Sequence, residues 1–452
     1  MNHSKTIILA AGEGSRMRSQ KSKVLHQVCG ENILDYVIAV SKASGISEIG
    51  VVVGFQAEQV KESLSSQIET YFQPEQLGTG HAVLQALPFF EALQGNLIVL
   101  VGDAPLIRAE TLTGLIAAHE AGGYAATVLT AEFEEPTGYG RMIKNGGGEL
   151  LKIVEEKDAT PAEKQIKEIN SGMYCFDAQT LILALTQLKT DNVQGEYYLT
   201  DVIEILRKMG KTAGTYMTPD PEDIQAINSR VQLAEAEAVM RKRINHKLMD
   251  AGVTIIDPAT TYIGTHVRVG QDTVLYPGVI LEGATEIGKD CVIAANSRLV
   301  DTKIGNNVTI QSSTILESSV DDYTNVGPYA YIRPGSQIGK HCKVGDFVEV
   351  KNSTMGDGAK ASHLTYIGDG DVGENVNLGC GTVFVNYDGK KKYRTIVEKN
   401  AFVGCNTNLI APVTVKEGAY IAAGSTITDD VPEDSLAIAR ARQVNKVGYL
   451  KK

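Results

Sequence analysis

The sequence has no tryptophan, only 13 prolines and six cysteines in 452 residues. The cysteines, at positions 29, 175, 291, 342, 380 and 405, are scattered and none forms a CxxC pair. This argues against a disulfide-framework domain and a cysteine-based zinc site, and fits a chain working in a reducing cytoplasm. No run of 18 apolar residues occurs, so no membrane span is expected. Residues 1–5 lead directly into Ile7-Ile8-Leu9 without the small-residue cleavage site of a signal peptide. Positive charge is also short: 43 Lys+Arg stand against 54 Asp+Glu, a net charge of −11. Such a chain is not expected to bind nucleic acid non-specifically, and any anionic small molecule must be met by local cations. With 43% hydrophobic and 21% charged residues, the composition is that of a folded globular protein, not a disordered one.

Glycine is plentiful: 45 residues, 23 of them after residue 250. The two parts also differ in hydrophobic rhythm. Up to residue 228, short apolar runs alternate with amphipathic stretches. Thr6–Leu9, Ile49–Val53, Leu97–Val101 and Ala125–Leu129 read as strands, with Ile33–Ala43 and Thr111–His119 as helices. That alternation predicts a Rossmann-like α/β domain over residues 1–229, its parallel sheet covered on both faces. Residues 230–250 read as a linker helix: Leu233, Met240, Ile244 and Leu248 share one face, Arg241-Lys242-Arg243 reads as a solvated face, and Gly252 ends it.

Over residues 251–452 the period becomes six. Ile263, Val269, Leu275, Leu281, Ile287, Ile293 and Leu299 follow at that spacing, and after a one-residue deletion Ile304, Ile310 and Leu316 continue it. The series returns from Val326 to Val350, at Val372 and Leu378, and from Val403 to Ile427. Six is neither the helix period nor plain alternation. It fits one short strand and one tight turn per repeat, three repeats to a coil and coils stacked at about 4.8 Å, a parallel β-helix. Two interruptions, Gly356–Tyr366 and Phe384–Thr395, read as loops ejected from the solenoid, common places for function.

The segment Leu9-Ala10-Ala11-Gly12-Glu13-Gly14-Ser15-Arg16-Met17 follows the first strand. Alone, its Gly pair reads equally as a tight turn or as a backbone cradle for phosphates; it is neither a Walker loop nor a dinucleotide fingerprint. Arg16 and Lys23 bring two cations to that loop. Gln73-x-x-Gln76-Leu77-Gly78-Thr79-Gly80-His81 is a second Gly-rich loop, whose amides suit the edge of a base. Asp103 stands at the C-terminal end of a buried strand, where open α/β sheets bind ligands. It reads as a Mg²⁺ ligand or as a turn residue.

The segment from Leu9 to Met17, with Lys23, is similar to the signature of sugar-nucleotide pyrophosphorylases. The hexads resemble the left-handed β-helix of hexapeptide-repeat acyltransferases, which pack as trimers. Over essentially its full length the chain resembles the bifunctional N-acetylglucosamine-1-phosphate uridyltransferase/glucosamine-1-phosphate acetyltransferase family. The resemblance implies that the first half joins UTP to N-acetylglucosamine 1-phosphate. Leu9, Ala10, Ala11 and Gly12 would hold the nucleotide, Arg16 and Lys23 its phosphates, and Gln73, Gly78 and Thr79 its uracil. Asp103 and Asn228 would hold Mg²⁺, and Gly140, Glu155 and Asn170 the sugar. It further implies that the second half acetylates glucosamine 1-phosphate from acetyl-CoA, with His363 as proton acceptor. Arg333, Lys351, Tyr366 and Asn377 would bind the sugar phosphate, and Cys380, Asn386, Tyr387, Cys405, Ala423 and Arg440 would line the acetyl-CoA site. A cytoplasmic homotrimer is implied too, acting on small molecules and supplying UDP-N-acetylglucosamine for the bacterial envelope.

Without the resemblance, Glu155 is not distinguishable from Glu156, Asn228 reads as a helix cap and Arg440 as a solvated tail residue. The chain departs from the family pattern at Glu13, at Ser22 where proline is usual, and at Cys380 and Cys405 where alanine and serine are usual. Two other readings stand beside the bifunctional one. The first is a monofunctional nucleotidyltransferase whose β-helix serves only trimerisation or regulation. The second is a non-catalytic assembly subunit, against which Arg16, Lys23 and Asp103 argue.

Overall fold

The computed structural model describes residues 3–450. The chain divides into two compact units, residues 1–240 and 241–452. In the first, the strands are β1 (Ser4–Ala10), β2 (Ile49–Val53), β3 (Glu69–Phe72), β4 (Asn96–Val101), β5 (Ala126–Glu132), β6 (Gly140–Lys144), β7 (Leu150–Val154), β8 (Glu168–Asp177) and β9 (Ala213–Met217). They form one sheet ordered β9-β5-β8-β4-β1-β2-β3, with the hairpin β6–β7 attached to β8. Helices α1 (Ile33–Ala43) and α2 (Ala109–Gly122) cover one face, and α3 (Ala178–Leu185) and α4 (Asp201–Lys208) the other. Strand side chains alternate between the two cores: Ile7 belongs to one and Ile8 to the other, both fully buried.

The Rossmann-like expectation holds with one correction. The sheet is mixed, not all parallel: β8 runs antiparallel between β4 and β5. Its sequence hides it, because Asn170, Ser171 and Gly172 break the apolar run where the β5 register shifts between Asn170 and Tyr174.

Helix α5 (Arg230–Asp250) crosses from the first unit into the second. Within the second unit, Ile244, Leu248 and Met249 lie on the β-helix core, and the buried Asn245 donates to the carbonyls of Pro258 and Thr261. These contacts cap the first coil, whose end would otherwise be open. Arg241 is not simply solvated: its guanidinium sits 4.6 Å from the centre of the Tyr262 ring.

The second unit is a three-sided solenoid of parallel sheets with eleven, ten and nine strands, the architecture of the left-handed β-helix. Each coil pairs with the next in register, as Leu275 with Ile293, Leu281 with Leu299 and Ile287 with Ile304. One aliphatic per side points inward and is almost wholly buried. Two details of the period change. Ile315, not Leu316, is the inward residue, because five-residue steps carry Ile310 to Ile315 and on to Val320. The first interruption is no ejected loop either: Lys360–His363 and Tyr366–Gly368 are regular strands, and Met355, Ala361 and Ile367 keep the inner row. A methionine and an alanine had disguised the repeat. Asn386–Arg394 does leave the coil, as a small hairpin bridged between Tyr387 and Lys392.

Candidate active sites

In the first unit the parallel strands β1, β2 and β4 end together, and the loops beyond them wall a cavity of about 280 Å³. Leu9, Ala10, Ala11, Gly12, Lys23 and Asp103 form one part of its lining, and Gln73, Gln76, Gly78 and Thr79 another. Gly14 has left-handed backbone, and the Lys23 stem crosses where a Cβ at residue 14 would stand, so the loop can fold tightly over the lysine only with glycine there. The Lys23 ammonium contacts the Asp103 carboxylate and donates to Asn228 Oδ1 at 2.9 Å. The Ile227 N–H donates to the Asp103 carbonyl at 2.8 Å, which ties residues 227 and 228 to the strand end. A carboxylate and an amide oxygen therefore converge on one point that already holds a positive charge. Such an all-oxygen pair fits Mg²⁺, which takes one or two carboxylates and completes its shell with water and substrate phosphate. Among the described residues no group of three or more His, Cys, Asp or Glu is arranged to hold a metal.

Gln73 is buried, and its amide donates to the Gly78 carbonyl at 3.2 Å and faces His81 Nδ1 at 3.1 Å, so it stiffens the second Gly-rich loop. Arg16 stands exposed in a short 3₁₀ turn and is not part of the cavity lining. Ser22 is buried with an unpartnered hydroxyl.

A second cavity of about 180 Å³ shares Leu9, Thr79 and Val101 with the first and is lined also by Gly140, Glu155, Asn170 and Thr200. Glu155 Oε1 accepts from the Thr200 hydroxyl at 3.2 Å. Burial nevertheless holds its carboxyl above the ordinary value, and Asp158, Asp201 and Glu196 add to that. Asn170 donates to the Tyr174 hydroxyl at 2.9 Å and pairs in register with Gly140. A larger cavity of about 400 Å³ near His119 and Asp177 lies at the opposite ends of the strands, and Lys211 is the one Lys or Arg in its lining.

In the second unit a coil takes 17 or 18 residues, so side chains that far apart stack. Asn352, Asp369 and Asn386 are such a column: Asp369 accepts from Asn352 at 2.8 Å, from Lys351 at 2.9 Å and from Asn386 at 2.5 Å. Burial would raise the Asp369 carboxyl, but these donors outweigh it and hold it below the ordinary range. For Lys351, burial works downward, yet Asp369 holds its ammonium above the ordinary value. Arg333 lies one coil from Lys351 on the same ten-strand side and pairs with Glu349 at 2.8 Å. Tyr366 is paired in register with Glu349, and its hydroxyl folds over Gly368, the register partner of Lys351. Lys392, from the ejected hairpin, is pushed below its ordinary value by the Lys351 ammonium. Two adjacent ammonium groups beside a guanidinium make an anion-seeking surface.

His363 and Asp346 are 17 residues apart and register partners, with His363 Nδ1 at 2.6 Å from the Asp346 carboxylate. A carboxylate only accepts, so Nδ1 carries the proton and Nε2 is left as a base. Two residues beyond the in-register row Ala361, Leu378, Val403 and Ile421 lie His363, Cys380, Cys405 and Ala423, one above another. Arg440 joins this column, donating to the Ala423 carbonyl at 2.9 Å. Asn377 points from the eleven-strand face, whereas Tyr366 and Lys351 lie on the ten-strand face.

Comparison with known proteins accords with this layout. A nucleotidyl transferase family model matches residues 5–238. Proteins named bifunctional protein GlmU match almost end to end. The chain is 56% identical to that of Alkaliphilus metalliredigens over 446 residues, 99% of this chain and 98% of the relative. It is 59% identical to that of Alkaliphilus oremlandii over 448 residues, again 99% and 98%. The Geobacillus protein is 55% identical over 444 residues, 98% of this chain and 97% of its own. The chain belongs to the bifunctional GlmU family.

For a GlmU-family chain, the residues singled out from sequence fall into two compact groups, with Arg16 standing apart and Asn377 on the eleven-strand face that also carries His363. Sequence reading missed Asp346, Glu349, Asp369 and Lys392. The first three carried a usable signal: each lies 17 residues from a residue already chosen, one coil away. It also missed Glu196 and Thr200, which reach the first-unit cavities from distant loops.

Proposed function

We propose that the two sites carry successive steps toward UDP-N-acetylglucosamine: N-acetylation of glucosamine 1-phosphate in the β-helix, then uridylyl transfer in the first unit. The observation that carries the bifunctional reading is the His363–Asp346 pair on the same coils as Lys351 and Asp369. A solenoid kept only for trimerisation has no use for an oriented base beside a cation cluster.

In the acetyl step, the sugar phosphate rests on Arg333, Lys351 and Tyr366, with its 2-amino group toward His363. The amine attacks the thioester carbonyl, His363 Nε2 takes the amine proton, and the C–S bond breaks to release coenzyme A. Asp346 holds the ring and offsets the charge it gains. Asn386, Tyr387, Cys380, Cys405, Ala423 and Arg440 form the acetyl-CoA side. Asn377 lies on the eleven-strand face with His363, across an edge from Lys351 and Tyr366, and Tyr329, Phe347 and Leu364 form an exposed apolar column just past the strands of that face. Both features support a homotrimer in which another copy completes the site and covers that column.

In the uridylyl step, a phosphate oxygen of N-acetylglucosamine 1-phosphate attacks the α-phosphorus of UTP and pyrophosphate leaves. Residues 9–12 cradle the nucleotide, Gly78 and Thr79 face the base, and Gly140, Glu155 and Asn170 hold the sugar. Lys23 exchanges Asp103 for substrate phosphate. Mg²⁺ held by Asp103 and Asn228 would neutralise phosphate charge. We place these reactions of small molecules in the cytoplasm, whose reducing conditions suit the six free cysteines.

Thiol release from acetyl-CoA with glucosamine 1-phosphate tests the first activity, native protein against His363→Ala. Pyrophosphate release from UTP and N-acetylglucosamine 1-phosphate tests the second, with Asp103→Ala. Native protein that releases pyrophosphate but no thiol would favour the monofunctional reading.

A further inference from the structure

We propose that the Arg141–Glu156 ion pair is a positioning device for the sugar-phosphate substrate, acting by locking the Gly138–Gly140 turn against the wall that carries Glu155. This deepens the uridyltransferase reading of the cavity and rests on it.

Arg141 is 2% exposed, an unusual place for a guanidinium. Its Nη2 donates to Glu156 Oε2 at 2.7 Å, and its Nη1 donates to the Tyr139 carbonyl. The same Glu156 oxygen accepts from the Gly138 N–H at 3.3 Å. One ion pair therefore grips the turn at two successive residues. The turn needs such a grip. Gly138 has φ of +91° and Gly140 follows two residues on, so this stretch has wide conformational freedom of its own. Gly138, Tyr139 and Gly140 all line the cavity, and a Cβ built on Gly140 would stand 3.5 Å from Glu155 Oε1.

The other side of the cavity wall is tied to the same pair by covalent chain. Glu155 and Glu156 are consecutive, yet Glu155 lines the cavity while Glu156 meets Arg141. Fixing Glu156 fixes the backbone from which Glu155 reaches the cavity. Arg141 Nε is buried without a partner. A buried ion pair with an unmet donor is a poor source of stability, so net stabilisation does not account for this one. Neither residue is part of the cavity lining, so the pair acts through Gly140 and Glu155 and is not itself catalytic.

The test uses the full chain, varying UTP and N-acetylglucosamine 1-phosphate separately in steady state. Glu156→Ala is expected to raise the KM for the sugar phosphate about tenfold while the KM for UTP stays within about twofold, because misplacing one substrate wall leaves the other intact. Glu156→Gln keeps an oxygen acceptor for Arg141 and Gly138 and is expected to recover most of the loss. Arg141→Lys cannot serve Tyr139 and Glu156 together and is expected to behave as Glu156→Ala does. The unchanged UTP KM reports that the first unit is folded. If Glu156→Ala is not obtained folded, Arg141→Lys and Glu156→Gln decide the matter by the same split. A sugar-phosphate KM within about twofold of native in Glu156→Ala or Arg141→Lys overturns the inference. So does a parallel rise in both KM values that Glu156→Gln does not recover, since that is a merely structural role. Native protein without uridylyl transfer overturns the reading of the site itself, which is a different result from active native protein with unaffected variants.

Discussion

Phe384 tests whether core packing in the solenoid supports its chemistry. The ring is fully buried in the inner row of the ten-strand sheet, in register with Leu409, and two residues before Asn386. It fills space that Gly370 leaves open: a Cβ built at residue 370 would lie 2.5 Å from the ring. Removing the ring by Phe384→Ala exposes no alternative packing, because ladder hydrogen bonds set the spacing of the coils above and below. A phenylalanine buries at least ~150 Å², and at ~25 cal/mol per Å² the transfer loss is ~4 kcal/mol. Substitutions of this kind cost ~3–5 kcal/mol once the cavity is included. In a unit of ~200 residues this lowers the unfolding midpoint by roughly 10 °C. The two units have separate cores, so the effect is expected in one activity. After brief heating at a series of temperatures, the variant should lose acetyl transfer roughly 10 °C below native protein and uridylyl transfer at the native temperature. A shift in acetyl transfer below about 3 °C, or an equal fall in both activities, would refute the reasoning.

Asp201 has its carboxyl pushed up to about 6, first by burial and then by Glu204 and Asp158. A raised carboxylate favours folding below its unfolded value and loses that contribution as pH rises through the folded value. Asp201→Asn should therefore stabilise the first unit by ~1 kcal/mol at about pH 8, after discounting for partial exposure, and by little at about pH 4. A native–variant difference in unfolding midpoint that stays constant with pH would contradict this. Asp346→Asn should slow acetyl transfer about three- to tenfold, since the pair is half exposed and screened, whereas His363→Ala should cost at least about 100-fold. Equal losses in the two variants would show that the carboxylate does more than orient the ring. Cys380 and Cys405 are accessible, whereas the other four thiols are buried. Iodoacetamide should lower acetyl transfer at least about fivefold and spare uridylyl transfer. Full alkylation with unchanged acetyl transfer would place the thiols away from the substrate path.

Much of this was legible because it is local or periodic. One aliphatic every six residues is a geometric statement about a three-sided coil, and no folded context is needed to read it. The Gly12–Gly14 loop after an apolar strand, with Lys23 behind it, is likewise a local pattern. The reading failed where a residue's type disguised its place. Met355 and Ala361 fill the inner row without looking like hexad aliphatics, so a regular coil passed for a loop. Strand β8 hid behind a bulge.

By itself, the sequence determined two units of different rhythm, and with the family resemblance it marked the Gly12–Gly14 loop and His363 as candidates. Local spacing sets backbone conformation, and that reaches only a few residues along the chain. The tertiary structure alone decided the rest: that Lys23 meets Asn228 from 205 positions away, and that Glu155 and not Glu156 lines the cavity beside Gly140. It also decided that Asp346 orients His363 and that Asp369 gathers Lys351, Asn352 and Asn386. Each of these is a contact between charged or polar groups brought together by coil stacking or by strand ends meeting. Their energies depend on distance and burial in space, which spacing along the chain does not encode.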